Sequence, residues 1–260
     1  MEQISQGFAE YSHGRMHGCI MAIDGLLIRT RCPTRAEVVN QRAYINRKDC
    51  YGILVFAGCD HKCRFTMFAA NFPGATNDSL AWPMTRFHNE VVAAERLPRQ
   101  YYIVCDKPVS CTNEVLSPYG GRQLGTSMDS FNYHLSSMRQ CIERSFGIRV
   151  QRWGILWRDL VCAESCWSLV VTVCARLHNL CIDFGQIAGT NPNAGRVDVM
   201  PEDFEEDDTA TAIFNEYSVE NGGEMPRNAH NSSIRRINIT NWLRDQGYVR
   251  PAHSMRNSKA

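Results

Sequence analysis

The sequence predicts an α/β fold, a mixed sheet with flanking helices, and three observations carry that prediction. Four short apolar runs, 17–24, 51–58, 64–71 and 101–106, have the length and composition of strands, and 26–31 can extend the first beyond Gly25. Two of them flank Cys59-Asp60-His61-Lys62-Cys63, a polar turn that makes them an antiparallel hairpin. Two long helical patterns then follow, at about 127–148 and 160–184. Strands, a helix, a further strand and then helices imply three antiparallel strands plus parallel strands in one sheet.

Each element has a local reason. Asp24-Gly25 stops the first strand, and Asp106 with Lys107-Pro108 stops the fourth. Phe72-Pro73-Gly74 ends the hairpin, after which Asn77 or Asp78 can cap a helix running on toward Arg96. Pro83 would then lie near that helix's start, where proline is best tolerated. Residues 107–125 read as loop, broken by Ser117-Pro118-Tyr119-Gly120-Gly121. In the helix that follows, Leu135, Met138, Ile142 and Phe146 form one packed stripe. Residues 1–16 are polar and read as a disordered or truncated lead-in, so the domain is expected over 17–184. The remainder, 185–260, reads as an acidic loop and a tail with weak helices at 213–217 and 233–243.

Composition narrows the classes. At 260 residues and net charge +1 the chain can bury a sizeable core and does not announce a nucleic-acid binder by charge alone. Charge is nonetheless segregated. Residues 29–48 carry five arginines and a lysine against Glu37, whereas 198–208 carry seven carboxylates and no base. Twelve cysteines, several inside one apolar helix, suit a reducing compartment rather than a disulfide framework. No secretory leader opens the chain, and no run approaches a membrane span, so no membrane is expected.

The chemistry-bearing residues are acidic. Asp24 and Asp106 end strands, and Glu143 sits one residue past the packed stripe of its helix. Two strand-end aspartates and a helix glutamate can form an oxygen site for a divalent metal, provided that the two strands are neighbours. Singly, each has an ordinary reading as a turn cap or, for Glu143, a pair with Arg139. Asp78 reads first as a helix N-cap and second as a supporting ligand. Arg47, Lys48, Arg139, Arg144, Arg149 and Arg152 are candidates for contact with a nucleic-acid backbone. Cys59, His61 and Cys63 are zinc-ligand types, but their tight spacing and lack of a nearby second pair favour a plain turn. Trp153 and Trp157 read as core packing, and His178 as a buried, hydrogen-bonded histidine. No phosphate-cradling glycine loop or G-x-S-x-G elbow is present, which excludes the usual NTPase and serine hydrolase readings.

Together, several stretches carry a family resemblance. G-C-I-M-A-I-D-G, Y-I-N-R-K, F-P-G-A-T-N-D-S, V-C-D, S-P-Y, R-Q-C-I-E-R-S-F-G-I-R-V-Q-R-W and R-L-H-N-L-C-I-D occur in that order over 17–184. They resemble the DDE nuclease domain of PIF/Harbinger-type transposases. The resemblance implies an RNase H-like fold and a nuclear DNA endonuclease and transposase, with Mg2+ or Mn2+ as cofactor. Asp24, Asp106 and Glu143 match the metal-binding triad, with Asp24 shared between two metals. The implied partners are DNA, a separate DNA-binding protein and a second copy of the chain. The pattern departs from the family at three places. About sixteen residues replace the usual helix-turn-helix region before the first strand, Asp106 stands in C-D-K-P-V, and His-Asp-Ser has become Asn77-Asp78-Ser79. An alternative reading is therefore a host-retained or inactive derivative that acts as a DNA- or protein-binding module.

Overall fold

A computed structural model describes residues 1–121, 123–186 and 233–251. Five strands form one sheet: β1 (Cys19–Arg29), β2 (Gly52–Cys59), β3 (Phe65–Pro73), β4 (Tyr102–Val104) and β5 (Val115–Leu116), in the order β3-β2-β1-β4-β5. The first three are mutually antiparallel, while β1–β4 and β4–β5 are parallel. This mixed α/β arrangement is the expected one and is compatible with an RNase H-like fold. β2 is buried along its whole length, because strands flank it on both edges and helices cover both faces. That explains its unbroken apolar run.

Alternation along the strands divides the core in two. Ala22, Val55, Ala57 and Val104 face one side, where they meet Leu135, Met138, Ile142 and Phe146 of α3 (Thr126–Arg152). Ile23, Phe56 and Ile103 face the other side, against Ala81 and Trp82 of α2 (Asp78–Met84). The stripe expected on α3 is the buried face observed. S-P-Y is fastened to the same helix by Asn132, which accepts from the Tyr119 N–H at 2.8 Å and donates to its carbonyl at 3.0 Å.

Several expectations are corrected. The lead-in is not disordered throughout: Glu2–Tyr11 forms a helix, α1, whose Phe8 is fully buried in the α3-side core. Ile4, Phe8 and Tyr11 lie at helical spacing, and the Gly18 N–H donates to Ser5 Oγ at 2.8 Å, tying α1 to the start of β1. The helix expected from 77 to 96 ends at Met84, and a separate single π-helical turn spans His88–Val92. Pro83 lies near the end of α2 rather than its start, and its missing N–H weakens continuation there. Loop 107–125 contributes the two-residue strand β5.

The helix α4 (Glu164–Asp183) packs Trp167, Val171, Cys174, Ala175, His178 and Ile182 inward. Its 20 residues are long and apolar enough to cross a bilayer, contrary to the sequence expectation, although one face is committed to the core. The weak helix expected at 233–243 is α5 (Ile234–Asp245), capped by the Ser233 hydroxyl, which accepts from the Arg236 N–H at 3.2 Å. It docks on the domain: Leu243 is fully buried, and the Ser130 hydroxyl donates to the Tyr248 carbonyl at 2.8 Å. The acidic run at 198–208, the helix expected at 213–217 and the last nine residues lie outside the described residues.

Candidate active site

The parallel pairing of β1 and β4 decides whether the two aspartates can meet. Ala22 is in register with Val104, so Asp24 and Asp106 follow two residues later on adjacent chains. Alternation places Asp24 on the same side of the sheet as Ala22, the side that α3 covers. Glu143 lies one turn after Arg139 on that helix.

All three carboxylates meet the same cation. Arg139 lies 3.7 Å from Asp24 Oδ2, 3.5 Å from Asp106 Oδ1 and 3.5 Å from Glu143 Oε1. Exposure is graded across the cluster: the side chains of Arg139 and Asp24 are 13% and 21% exposed, against 45% for Asp106 and 55% for Glu143. The site is thus rooted in the core and opens to solvent on the Asp106 and Glu143 side. The pair of Glu143 with Arg139 exists, but as one arm of a four-residue cluster. Lys107, beside Asp106, is exposed; the cation among the carboxylates is Arg139.

Asp78 is the fourth acidic member. Asn77, not Asp78, caps α2, its side chain accepting from the Leu80 N–H at 3.0 Å. Asp78 is left to point elsewhere. A Cβ added to Gly25 would fall 2.0 Å from Asp78 Oδ1 and 3.1 Å from Leu54 Cδ1. Asp78 therefore approaches β1 through the space that the glycine leaves open, from the face opposite α3.

The electrostatics follow from this crowding. Burial is the main cause that raises the Asp24 carboxyl to about 7; Asp78 and Asp106 add to it, while Arg139 and the Gly25 N–H, 2.9 Å from Asp24 Oδ1, oppose it. Asp78 is raised to about 6 by burial and by Asp106, against Arg47 and Arg139. Burial works to lower Arg139, but Asp106, Asp24 and Glu143 outweigh it, and the guanidinium is held above its ordinary value.

The other basic candidates separate by position. Arg47 and Lys48 are exposed, and Arg47 is near enough to Asp78 for its charge to be felt there. Arg144 is exposed, lies over the Tyr11 ring at 5.8 Å and donates to its hydroxyl at 3.4 Å. Arg152 is held by the carbonyls of His178 and Gln186. Arg149 cannot reach a phosphate: it is fully buried among Phe65, Phe68 and Phe146, 5.4–5.7 Å from their ring centres, and its three guanidinium nitrogens have no hydrogen-bond partner among the described residues.

Of the two tryptophans expected in the core, Trp153 packs against it partly buried, whereas Trp157 is 57% exposed, its indole N–H donating to the Val150 carbonyl at the end of α3. The Cys59–Cys63 turn and His178 read as expected. Asp60 Oδ1 accepts from the Lys62 and Arg64 N–H groups, so Cys59 to Cys63 is a hydrogen-bonded hairpin turn, with Cys59 and Cys63 buried. His178 is buried, with Nε2 at 2.8 Å from the Cys63 carbonyl oxygen.

Among the described residues, no three His, Cys, Asp or Glu side chains are placed to hold a metal ion as they stand. The physical reason at the acidic cluster is Arg139, which occupies the space on which Asp24, Asp106 and Glu143 converge. The donor chemistry itself fits a hard divalent cation: Asp24, Asp78, Asp106 and Glu143 offer carboxylate oxygens.

The sequence pointed to each acidic residue that the structure brings together here, but not to the contacts of Arg139 with Asp24 and Asp106. Its spacing from Glu143 was visible, whereas its contacts with Asp24 and Asp106 depend on strand register. Comparison with the curated proteins and with the solved structures gives no match. A family model described as DDE superfamily endonuclease matches residues 23–179, a span that contains Asp24, Asp78, Asp106, Arg139 and Glu143. That match covers more than half of the chain, which therefore belongs to the DDE superfamily endonuclease family.

Proposed function

We propose that the chain is a metal-dependent DNA endonuclease domain of the Harbinger transposase type, built on an RNase H-like fold. The observation that carries this reading is the convergence of Asp24, Asp106 and Glu143, from three separate elements, on one position at the edge of the core. These three residues would hold Mg2+ or Mn2+, with Asp78 in support from the other face of β1. Bound there, paired divalent ions supply an activated water and charge stabilisation at the leaving oxygen of a phosphodiester.

The chain's own residues divide the remaining work. Asp24, the most buried of the triad, is the fixed point on which Asp106 and Glu143 close from the solvent side. Arg47 and Lys48, both exposed, would attract a DNA backbone, which brings affinity without sequence preference. The proposed setting is the nucleus, with target recognition from a partner protein and a second copy for paired ends.

The test is nicking of supercoiled DNA in Mn2+ by the full chain, its Asp24→Asn and its Glu143→Gln variants. Nicking by the wild type alone supports the proposal, while equal nicking by all three excludes the triad. A second reading, a retained derivative that binds protein or DNA, draws on one observation. Leu169, Val173, Leu177, Leu180 and Phe184 form an exposed apolar stripe along α4 and just past its end. That reading expects no nicking, and binding that is indifferent to Asp24→Asn.

A further inference from the structure

Three like charges from distant points of the chain do not converge unaided. Asp24 on β1, Asp106 after β4 and Glu143 on α3 would repel one another if nothing positive stood between them. The guanidinium of Arg139 stands there, on a stem that is almost wholly buried. Its Nε is buried without a hydrogen-bond partner among the described residues, none of which offers a neutral acceptor to anchor the head from that side. The contacts that hold it are 3.5–3.7 Å long, well beyond the roughly 2.7–2.9 Å of a tight charge-assisted hydrogen bond. Arg139 is therefore held by diffuse attraction to several carboxylates, and Asp78 adds a fourth negative group across β1. Contacts of that kind are exchangeable: an ion with twice the charge and closer approach to oxygen outcompetes them.

We propose that Arg139 is a positioning residue and the internal counter-ion of this site. It keeps Asp24, Asp106 and Glu143 converged before a divalent cation arrives and competes with that cation for them. This rests on the metal-site reading above. A purely structural arginine would behave differently. Its loss would weaken the fold equally with and without metal and would leave metal affinity unchanged or lower.

The experiment is a calorimetric Mn2+ titration of the full chain, wild type against Arg139→Met and Arg139→Lys, with thermal unfolding in EDTA and in saturating Mn2+. Arg139→Met, which keeps the stem and removes the charge, should bind Mn2+ about tenfold more tightly or better. It should also melt below the wild type in EDTA, and the gap should close in Mn2+. Arg139→Lys retains the charge and should stay near the wild-type affinity. Should Arg139→Met not fold, Arg139→Gln carries the same expectations. Wild-type binding of Mn2+ with equal or weaker binding by the neutral variant overturns the role of Arg139 and leaves the metal site standing. No Mn2+ binding by any of the proteins removes the metal site and this role together.

Discussion

Asp24→Asn should stabilise the metal-free protein at alkaline pH, because the site holds a charge that the fold alone disfavours. In the folded chain the Asp24 carboxyl is raised from its ordinary 3.8 to about 7, with burial the largest cause. The direction of the pH dependence follows. Below 3.8 the group is protonated whether the chain is folded or not, and the fold's relative advantage is whole. As pH rises the unfolded chain loses the proton first, so stability declines, and the decline is complete once pH passes about 7. At about 1.4 kcal/mol per decade, the interval amounts to roughly 4 kcal/mol. Local relaxation and water entry make that an upper value, so about 2–4 kcal/mol is expected. Urea unfolding in EDTA should therefore show the variant and the wild type alike near pH 4, and the variant more stable at pH 8. A wild type more stable than Asp24→Asn at pH 8 would refute the reasoning, since attraction to Arg139 would then exceed the cost of burial. Saturating Mn2+ should reverse the order by binding only the folded wild type.

Three further outcomes are expected. Gly25→Ala puts a methyl group 2.0 Å from Asp78 Oδ1 and should destabilise by about 1–3 kcal/mol, most of it recovered in the double variant with Asp78→Ala; strict additivity in urea unfolding would show that the two residues do not meet. Arg149→Met replaces a buried guanidinium that has no hydrogen-bond partner among the described residues by an apolar side chain, and should leave stability unchanged or raise it by about 1–2 kcal/mol. A clear loss on thermal unfolding would mean that the three surrounding rings hold the cation more strongly than its burial penalises it. Phe8→Ala should cost about 3–5 kcal/mol, because the ring is fully buried in the core, and an unchanged melting curve would return α1 to the status of a loose lead-in.

The legible parts of this fold are those in which local pattern and tertiary fate agree. β1, β2 and β3 are apolar runs bounded by breakers, and α3 shows its buried stripe in the spacing of Leu135, Met138, Ile142 and Phe146. α1 was not legible, because Ile4, Phe8 and Tyr11 are isolated apolar residues among polar ones and their helix depends on docking against β1 and α3. At Asn77-Asp78, two adjacent residues can each cap a helix, and only the backbone geometry assigns the cap to Asn77 and frees Asp78 for the site. The triad was readable as two strand-end aspartates and a glutamate beside the packed stripe of a helix. Its assembly was not, because Asp24, Asp106 and Arg139 meet through the register of β1 with β4 and the packing of α3 across them. Gly25 likewise reads as a strand breaker in sequence, yet β1 runs straight through it and Asp78 fills the opening.

The central claim is that Asp24, Asp106 and Glu143 form a divalent-metal site, and the most direct measurement is Mn2+ binding to the full chain and to Asp24→Asn, side by side at pH 7.5. The account predicts saturable binding by the wild type and its loss in the variant, with both proteins folded by circular dichroism. Equal binding by the two proteins, or none by a folded wild type, would contradict it.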